Sequence, residues 1–221
     1  MPQSSPLSTA SSANRAATVW ADRHLNPHRA SAIKEHAGHS FLDVGCGNGR
    51  YVLHFADDYS TAGVDLQPYP QWKDAPERFR SADASCLPFA DQSVDTVVSF
   101  ETLEHVPDPE AVLREFHRVA RQNIIISVPN CELPSALENS RLAFFHYTDR
   151  SHVNFFTRDS LADTLRTTGF TPERIDLINA CPVQPLLQDL LQLPSLLTRI
   201  VGKLARQNAF PMTILAVAAR R

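Results

Sequence analysis

The chain has 221 residues, 43% of them hydrophobic and 20% charged, enough to bury one substantial core and too few for two comfortable domains. A net charge of −3 and a pI of about 6.3 leave no global basic field, which excludes a general nucleic-acid binder. The four cysteines, Cys46, Cys86, Cys131 and Cys181, are scattered without a C-x-x-C pair, a pattern that fits reduced thiols and a cytoplasmic setting rather than a disulfide or zinc framework.

Residues 1–18 are rich in Ser, Ala and Pro and lack an apolar h-region, so they read as a disordered tail rather than a secretory signal. One domain is expected over 19–221, and no run reaches the length of a membrane span. Arg29 to Ala37 reads as a short helix and Ser40 to Val44 as the first strand, which runs into Gly45, Gly47 and Gly49. Such glycines let backbone approach a ligand where a Cβ would collide, and they feed a helix N-terminus, here a helix expected over Asn48 to Ala56. Thr61 to Leu66 is a second strand. Gln67 to Pro76 reads as turn and short helix before a third strand near Arg78 to Ala82, and the β-branched run Val94 to Phe100 reads as a central strand.

Asp108 caps the next helix, with Pro109 at its first position and Glu110 in its first turn, while Val112, Leu113, Phe116, Val119 and Ala120 recur at helical spacing. Asn123 to Val128 is an apolar strand stopped by Pro129. Thr157 caps a helix to Thr168, with Gly169 where a left-handed residue is needed. Two last strands lie around Pro172 to Asn179 and Met212 to Ala218. Strands alternating with helices predict a parallel α/β sheet with helices on both faces and a ligand beyond the strand carboxyl ends.

The glycine loop alone does not name that ligand. A dinucleotide fingerprint, G-x-G-x-x-G, wants a glycine where Arg50 stands, and no Gly-Lys-Ser/Thr phosphate loop is present. Asp43, two residues before the first glycine, would repel a pyrophosphate and suit an ammonium. Together, Asp43-Val-Gly45-Cys-Gly47-Asn-Gly49, Ala62-Gly-Val-Asp65, Ala82-Asp83-Ala-Ser-Cys-Leu-Pro-Phe89 and Ser93-Val-Asp-Thr-Val-Val-Ser-Phe-Glu101-Thr-Leu-Glu-His-Val106 resemble the class I S-adenosylmethionine-dependent methyltransferases over roughly residues 38–130. That resemblance implies a Rossmann-like, seven-stranded, mostly parallel sheet closed by a C-terminal antiparallel hairpin. It also implies S-adenosyl-L-methionine as cofactor. Asp65 would accept hydrogen bonds from both ribose hydroxyls, and Asp83 from the adenine amino group, with backbone at Ala84 or Ser85 reading the ring nitrogen. Leu66 and Leu87 would cover the ring faces. The loop of Gly45, Cys46, Gly47 and Gly49 would face the methionine part, its ammonium near Asp43.

Methyl transfer is an in-line displacement, so the protein must align the nucleophile and exclude water. Glu101-Thr-Leu-Glu104-His105-Val106 is similar to the same stretch of the ubiquinone-biosynthesis O-methyltransferases. In some E-x-x-E-H enzymes, including terminal-ribose RNA methyltransferases, these residues and a later histidine hold a divalent cation. The resemblance therefore offers Glu101, Glu104, His105 and either His146 or His152 to Mg²⁺ or Zn²⁺. Without metal, His105 or His152 is the natural general base, since an imidazole titrates near neutrality, and Glu101 binds or orients the substrate.

Phe144 to Thr157 is rich in aromatic residues and histidine and is similar to a substrate-binding wall in type 11 and type 23 methyltransferases, with Phe155 and Phe156 expected in the core. Substrate-side insertions are expected at about 131–156 and 183–208. Pro185 to Arg206 reads as two short amphipathic helices broken at Pro194, a lid, a subunit contact or a peripheral membrane contact. The expected activity is methyl transfer to a hydroxyl of a small molecule, an apolar one among the candidates, by a monomer or homodimer. The alternatives are N- or C-methylation of a lipid, quinone or glycan precursor, a NAD-binding oxidoreductase or epimerase, and a non-catalytic cofactor-binding protein.

Overall fold

A computed structural model describes residues 25–132, 145–180 and 210–221, together with Pro194, Leu196, Leu197 and Ile200. The expected tail, Cys181 and most of 185–206 lie outside the described residues. Seven strands form one sheet: β1 (Ser40–Val44), β2 (Ser60–Asp65), β3 (Phe79–Ser81), β4 (Val94–Phe100), β5 (Ala120–Pro129), β6 (Phe170–Ala180) and β7 (Pro211–Arg220). Their order is β3-β2-β1-β4-β5-β7-β6. All pairs from β3 to β5 are parallel, and β7 runs antiparallel between β5 and β6. The order reverses between β1 and β4, so their carboxyl ends diverge into a crevice where open α/β sheets hold ligands.

The strands alternate their burial between two cores, one on each face of the sheet. Leu42, Val44, Val97, Ile124, Ile126, Ile214 and Ala216 point to one side. There they meet α3 (Pro109–Val119) and α5 (Arg158–Thr167) through Val112, Leu113, Phe116, Leu161 and Leu165. Phe41, Val98, Phe100, Ile125, Leu215 and Val217 point to the other side, against Ala32 and Ile33 of α1 (Pro27–His36) and Tyr51 of α2 (Arg50–His54). Period-two alternation thus serves a sheet whose central strands are covered on both faces. Full burial of each such aliphatic side chain is worth about 1.5–3 kcal/mol. A third, smaller cluster joins Cys46, Val52, Trp72 and Phe79 beneath the glycine loop.

Local signals set the helix ends. Asp108 accepts from the backbone N–H of Ala111 at 2.9 Å with Pro109 next to it. Thr157 and Ser160 form a reciprocal capping box at the start of α5. Element ends shift by one to three residues from expectation, and two boundaries are the most telling. Ala120, in phase with the apolar face of α3, is already the first residue of β5 and pairs with Val94, because helix and strand meet there without a loop. The helix after the glycines is only Arg50–His54, with Gly49 left-handed at its cap (φ +76°). A short α4 spans Phe145–Thr148. Among the described residues no helix is long and apolar enough to cross a membrane.

Candidate active site

The glycine loop leaves β1 through three left-handed residues, Gly45 (φ +75°), Gly47 (φ +52°) and Gly49 (φ +76°). A Cβ on Gly45 would lie 2.1 Å from Thr102 Oγ1, and one on Gly49 would lie 2.4 Å from the Phe79 ring. The loop spends most of its own donors. Gly45 and Cys46 N–H both reach the Val64 carbonyl, at 2.8 and 3.0 Å, and Gly49 N–H reaches Cys46. Gly47 N–H donates to Asp65 Oδ2 at 2.8 Å. These contacts place the Asp65 carboxylate, at the end of β2, against the loop.

Asp43 sits inside β1, paired with Gly63 on one side and Val98 on the other, and is 2% exposed. Burial raises its carboxyl to about 7, helped by the charge of Asp65 and opposed by Arg29. A buried acid held at that point gains from a cationic ligand group. Asp83 follows β3 in an exposed turn, where Ser85 donates to it from Oγ at 2.7 Å and from N–H at 2.8 Å, holding its carboxyl below the usual carboxylate range. Ala84 is half-buried beside it. Leu66 is 69% exposed beyond β2, whereas Leu87 belongs to the core.

At the end of β4 the backbone turns at Glu101, which is left-handed without being glycine (φ +55°), a conformation costing of order 1–3 kcal/mol that the surroundings must impose. Its carboxylate pairs with Arg29 of α1 and accepts from Ser127 Oγ at 3.1 Å, while its N–H reaches the Ser127 carbonyl. The Arg29 guanidinium also lies 5.3 Å over the Phe100 ring. A 3₁₀ turn, Leu103–His105, follows. Glu104 is 1% exposed, and its Oε2 has no hydrogen-bond partner. Burial first, and then the charge of Glu101, push its carboxyl well above the usual range.

The segment after α4 is pinned onto this turn. Val153 and Asn154 N–H donate to the Glu104 carbonyl at 2.8 and 3.1 Å, and Asn154 Nδ2 donates to Leu103 and Val106 at 3.0 and 2.6 Å. The docking brings His105 and His152 to a ring separation of 4.9 Å. His105 Nδ1 lies 3.1 Å from the Ser151 carbonyl and His152 Nδ1 lies 3.0 Å from the His146 carbonyl. A carbonyl only accepts, so each Nδ1 carries a proton, which puts the lone pair of a neutral ring on Nε2. His105 Nε2 is 3.8 Å from Glu104 Oε1, and His152 Nε2 is 3.7 Å from Asp149 Oδ2.

Of the four residues offered to a metal, Glu104, His105 and His152 present ligand atoms within 4.8 Å of one another. Glu101 is drawn aside by Arg29 and Ser127. His146, the other candidate, instead puts Nε2 2.9 Å from the Met212 carbonyl, and burial lowers its pKa. Phe156 is in the core as expected, but Phe155 is 45% exposed and stacks on Tyr147 at 5.0 Å. Arg29, Ser127, Asn154 and Trp72 do not announce themselves in the sequence. Arg29 stands 72 positions from its partner, and no local pattern marks the pair.

A mostly parallel seven-stranded sheet with this order, a glycine loop after β1 and acids at the ends of β2 and β3 define a class I methyltransferase fold. The methyltransferase-domain family model matches residues 15–175, and the chain belongs to that S-adenosylmethionine-dependent family. It is 33% identical over 113 residues to 27-O-demethylrifamycin SV methyltransferase of Amycolatopsis mediterranei, covering 46% of this chain and 42% of that protein. It is 31% identical over 115 residues to norajmaline N-methyltransferase of Rauvolfia serpentina, covering 45% and 39%. The chain spans about half the length of the curated relatives it matches.

Among solved structures it is similar to a methyltransferase in complex with the Haloferax volcanii Trm112 activator, with a TM-score of 0.66 and 21% identity over 94% of this chain and 95% of that one. The [4+2]-cyclase SpnF is similar too, with a TM-score of 0.58 and 18% identity over 94% and 80%. At such identities the likeness concerns the fold, and SpnF illustrates that one fold hosts different reactions.

Proposed function

We propose that the protein transfers a methyl group from S-adenosylmethionine to a hydroxyl of a small, apolar acceptor. The observation that carries this reading is the pair His105 and His152, both with Nε2 lone pairs available, at the same sheet edge as Asp43, the glycine loop and Asp65. The residues fit the cofactor: Asp43, whose side chain accepts no hydrogen bond among the described residues, suits its ammonium, and Asp65 suits a vicinal diol. Gly45, Cys46, Gly47 and Gly49 line the methionine side, and Asp83 with Ala84 and the exposed Leu66 would receive the adenine. When bound, S-adenosylmethionine supplies an electrophilic methyl group on a sulfonium.

The chain's own task is to take the acceptor proton as the nucleophile forms. His105, with 39% of its side chain exposed, is the base an acceptor reaches, and His152, at 7%, stands behind it. Asp149 is placed to stabilise positive charge on His152. Glu101, held by Arg29 and Ser127, orients the turn that carries His105. Tyr147, Val153 and Phe155, all exposed, offer the acceptor an apolar wall. Removing a general base typically costs 10²–10⁴-fold. His105→Gln should therefore lower turnover by at least about a hundredfold with cofactor affinity kept, whereas Asp65→Ala should weaken cofactor binding at unchanged thermal stability. The assay is S-adenosylhomocysteine release across phenols, quinone precursors, sugars and lipids. Full turnover by His105→Gln would reject the base assignment.

Glu104, His105 and His152 also suit a divalent cation, since the orphaned Glu104 Oε2 lacks any donor and both imidazoles are fixed in the ligating tautomer. Such a cation would acidify a bound hydroxyl. Chelation should then lower activity and Mg²⁺ or Zn²⁺ restore it, with metal analysis of the purified protein as an independent readout. Full activity and no bound metal after exhaustive chelation would dismiss the cation. The similarity to an N-methyltransferase favours a second reading, an amine acceptor, which product mass spectrometry and NMR separate from an ether.

A further inference from the structure

Trp72, in the 3₁₀ turn Pro70–Asp74, has no part in the chemistry above. Its indole is 7% exposed, stacks on Phe79 with centroids 5.0 Å apart and planes 8° from parallel, and donates Nε1–H to the Gly47 carbonyl at 2.8 Å. On its other side Gly47 donates its N–H to Asp65 Oδ2, also at 2.8 Å. The peptide before the Gly47 Cα is held by its bond to Asp65 and by Gly49 N–H on the Cys46 carbonyl, and the peptide after it is held by Trp72, with Cys46 Sγ a long 3.8 Å from the same carbonyl.

Steric packing does not fix this residue. A Cβ built on Gly47 would find no heavy atom within 4 Å, whereas Gly45 and Gly49 are both crowded. A glycine in open space with φ +52° has the widest conformational freedom of any residue, so the hydrogen bonds on its two flanking peptides, rather than packing, decide where its N–H points. That N–H in turn decides how one oxygen of Asp65 is held and how the other is presented.

We propose that Trp72 is a positioning residue: through Gly47 it holds the Asp65 carboxylate for the two ribose hydroxyls and so sets the affinity for the ribose part of the cofactor. This rests on the ribose role given to Asp65. The stack on Phe79, whose ring fills the space beside Gly49 and Gly63, anchors the indole so that the hydrogen bond has a fixed origin.

Trp72→Phe keeps an aromatic ring on Phe79 and deletes the pyrrole edge of the indole together with its N–H. The test compares binding of S-adenosylhomocysteine and its 2′,3′-dideoxy analogue to wild type and variant by calorimetry, with thermal melting alongside. Wild type should prefer the parent ligand by at least about tenfold, as expected for charge-assisted hydrogen bonds. Trp72→Phe should bind the parent about tenfold more weakly, bind the dideoxy analogue as wild type does, and melt within a few degrees of it. Equal weakening of both ligands would overturn the proposal, because the indole would then be shaping the pocket as a whole, and so would no weakening of either. A wild type that does not discriminate between the two ligands would remove the ribose role of Asp65 and the proposal with it. If Trp72→Phe fails to fold, benzothienylalanine at position 72, matching Trp in shape but lacking the N–H, carries the same comparison.

Discussion

Asp43 makes the clearest case that one buried atom group can be both a cost and a tool. Its carboxyl is raised from 3.8 to about 7, chiefly by burial. For the free protein the sign is unfavourable: stability is full below 3.8 and is lost as pH rises through about 7. A ligand ammonium reverses that sign by favouring the ionised form. Binding of S-adenosylhomocysteine should therefore release roughly half a proton per site at pH 7 and nearly a whole one at pH 6, with affinity rising from pH 6 to 8. Calorimetry in buffers of different ionisation enthalpy reads this directly, with Asp43→Asn as the control that abolishes it. Binding heats that do not change with buffer would remove Asp43 from the cofactor's ammonium. Glu104 works in the same direction for the same cause, burial beside another carboxylate.

At the scale of elements, the glycine loop is the part most constrained by its neighbours. Gly49 combines a left-handed backbone with a Phe79 ring 2.4 Å from any added Cβ. Gly49→Ala should cost at least about 2 kcal/mol, from left-handed strain plus overpacking, which lowers the melting temperature by roughly 4–8 °C for a chain of this size. A melt unchanged within 1 °C would show that Phe79 swings away freely. The loop, the strand ends and the capped starts of α3 and α5 were legible in the sequence, because each depends on residues a few positions apart. What was not legible is docking: the segment Asp149–Asn154 hydrogen-bonds to a turn some fifty residues earlier, and Arg29 reaches across to Glu101. Such contacts depend on tertiary geometry that no periodicity encodes. The end of α3 shows the same limit, since Ala120 satisfies the helical pattern and is nevertheless claimed by the β5 ladder.

For the whole molecule, exposed apolar side chains before β7 call for a partner. Leu196, Leu197 and Ile200, the described apolar residues of the 185–206 segment, are all exposed. Were this a peripheral membrane face, the protein would co-sediment with vesicles, and replacing the three by Ser would abolish it. No sedimentation with neutral or anionic vesicles would favour a lid or a subunit contact. Sheet order carries a different consequence. β7 is the last of the seven strands in the chain, yet it lies between β5 and β6 and bonds to both along most of its length. During synthesis, β5 and β6 must therefore wait with unpaired edges until Pro211–Arg220 has emerged from the ribosome. Edges of this kind recruit other chains. A nonsense mutation just before β7 would thus do more than shorten the protein: it would leave a five-stranded sheet with an open β5 edge and an unpaired β6, and insoluble aggregate rather than a shortened folded chain.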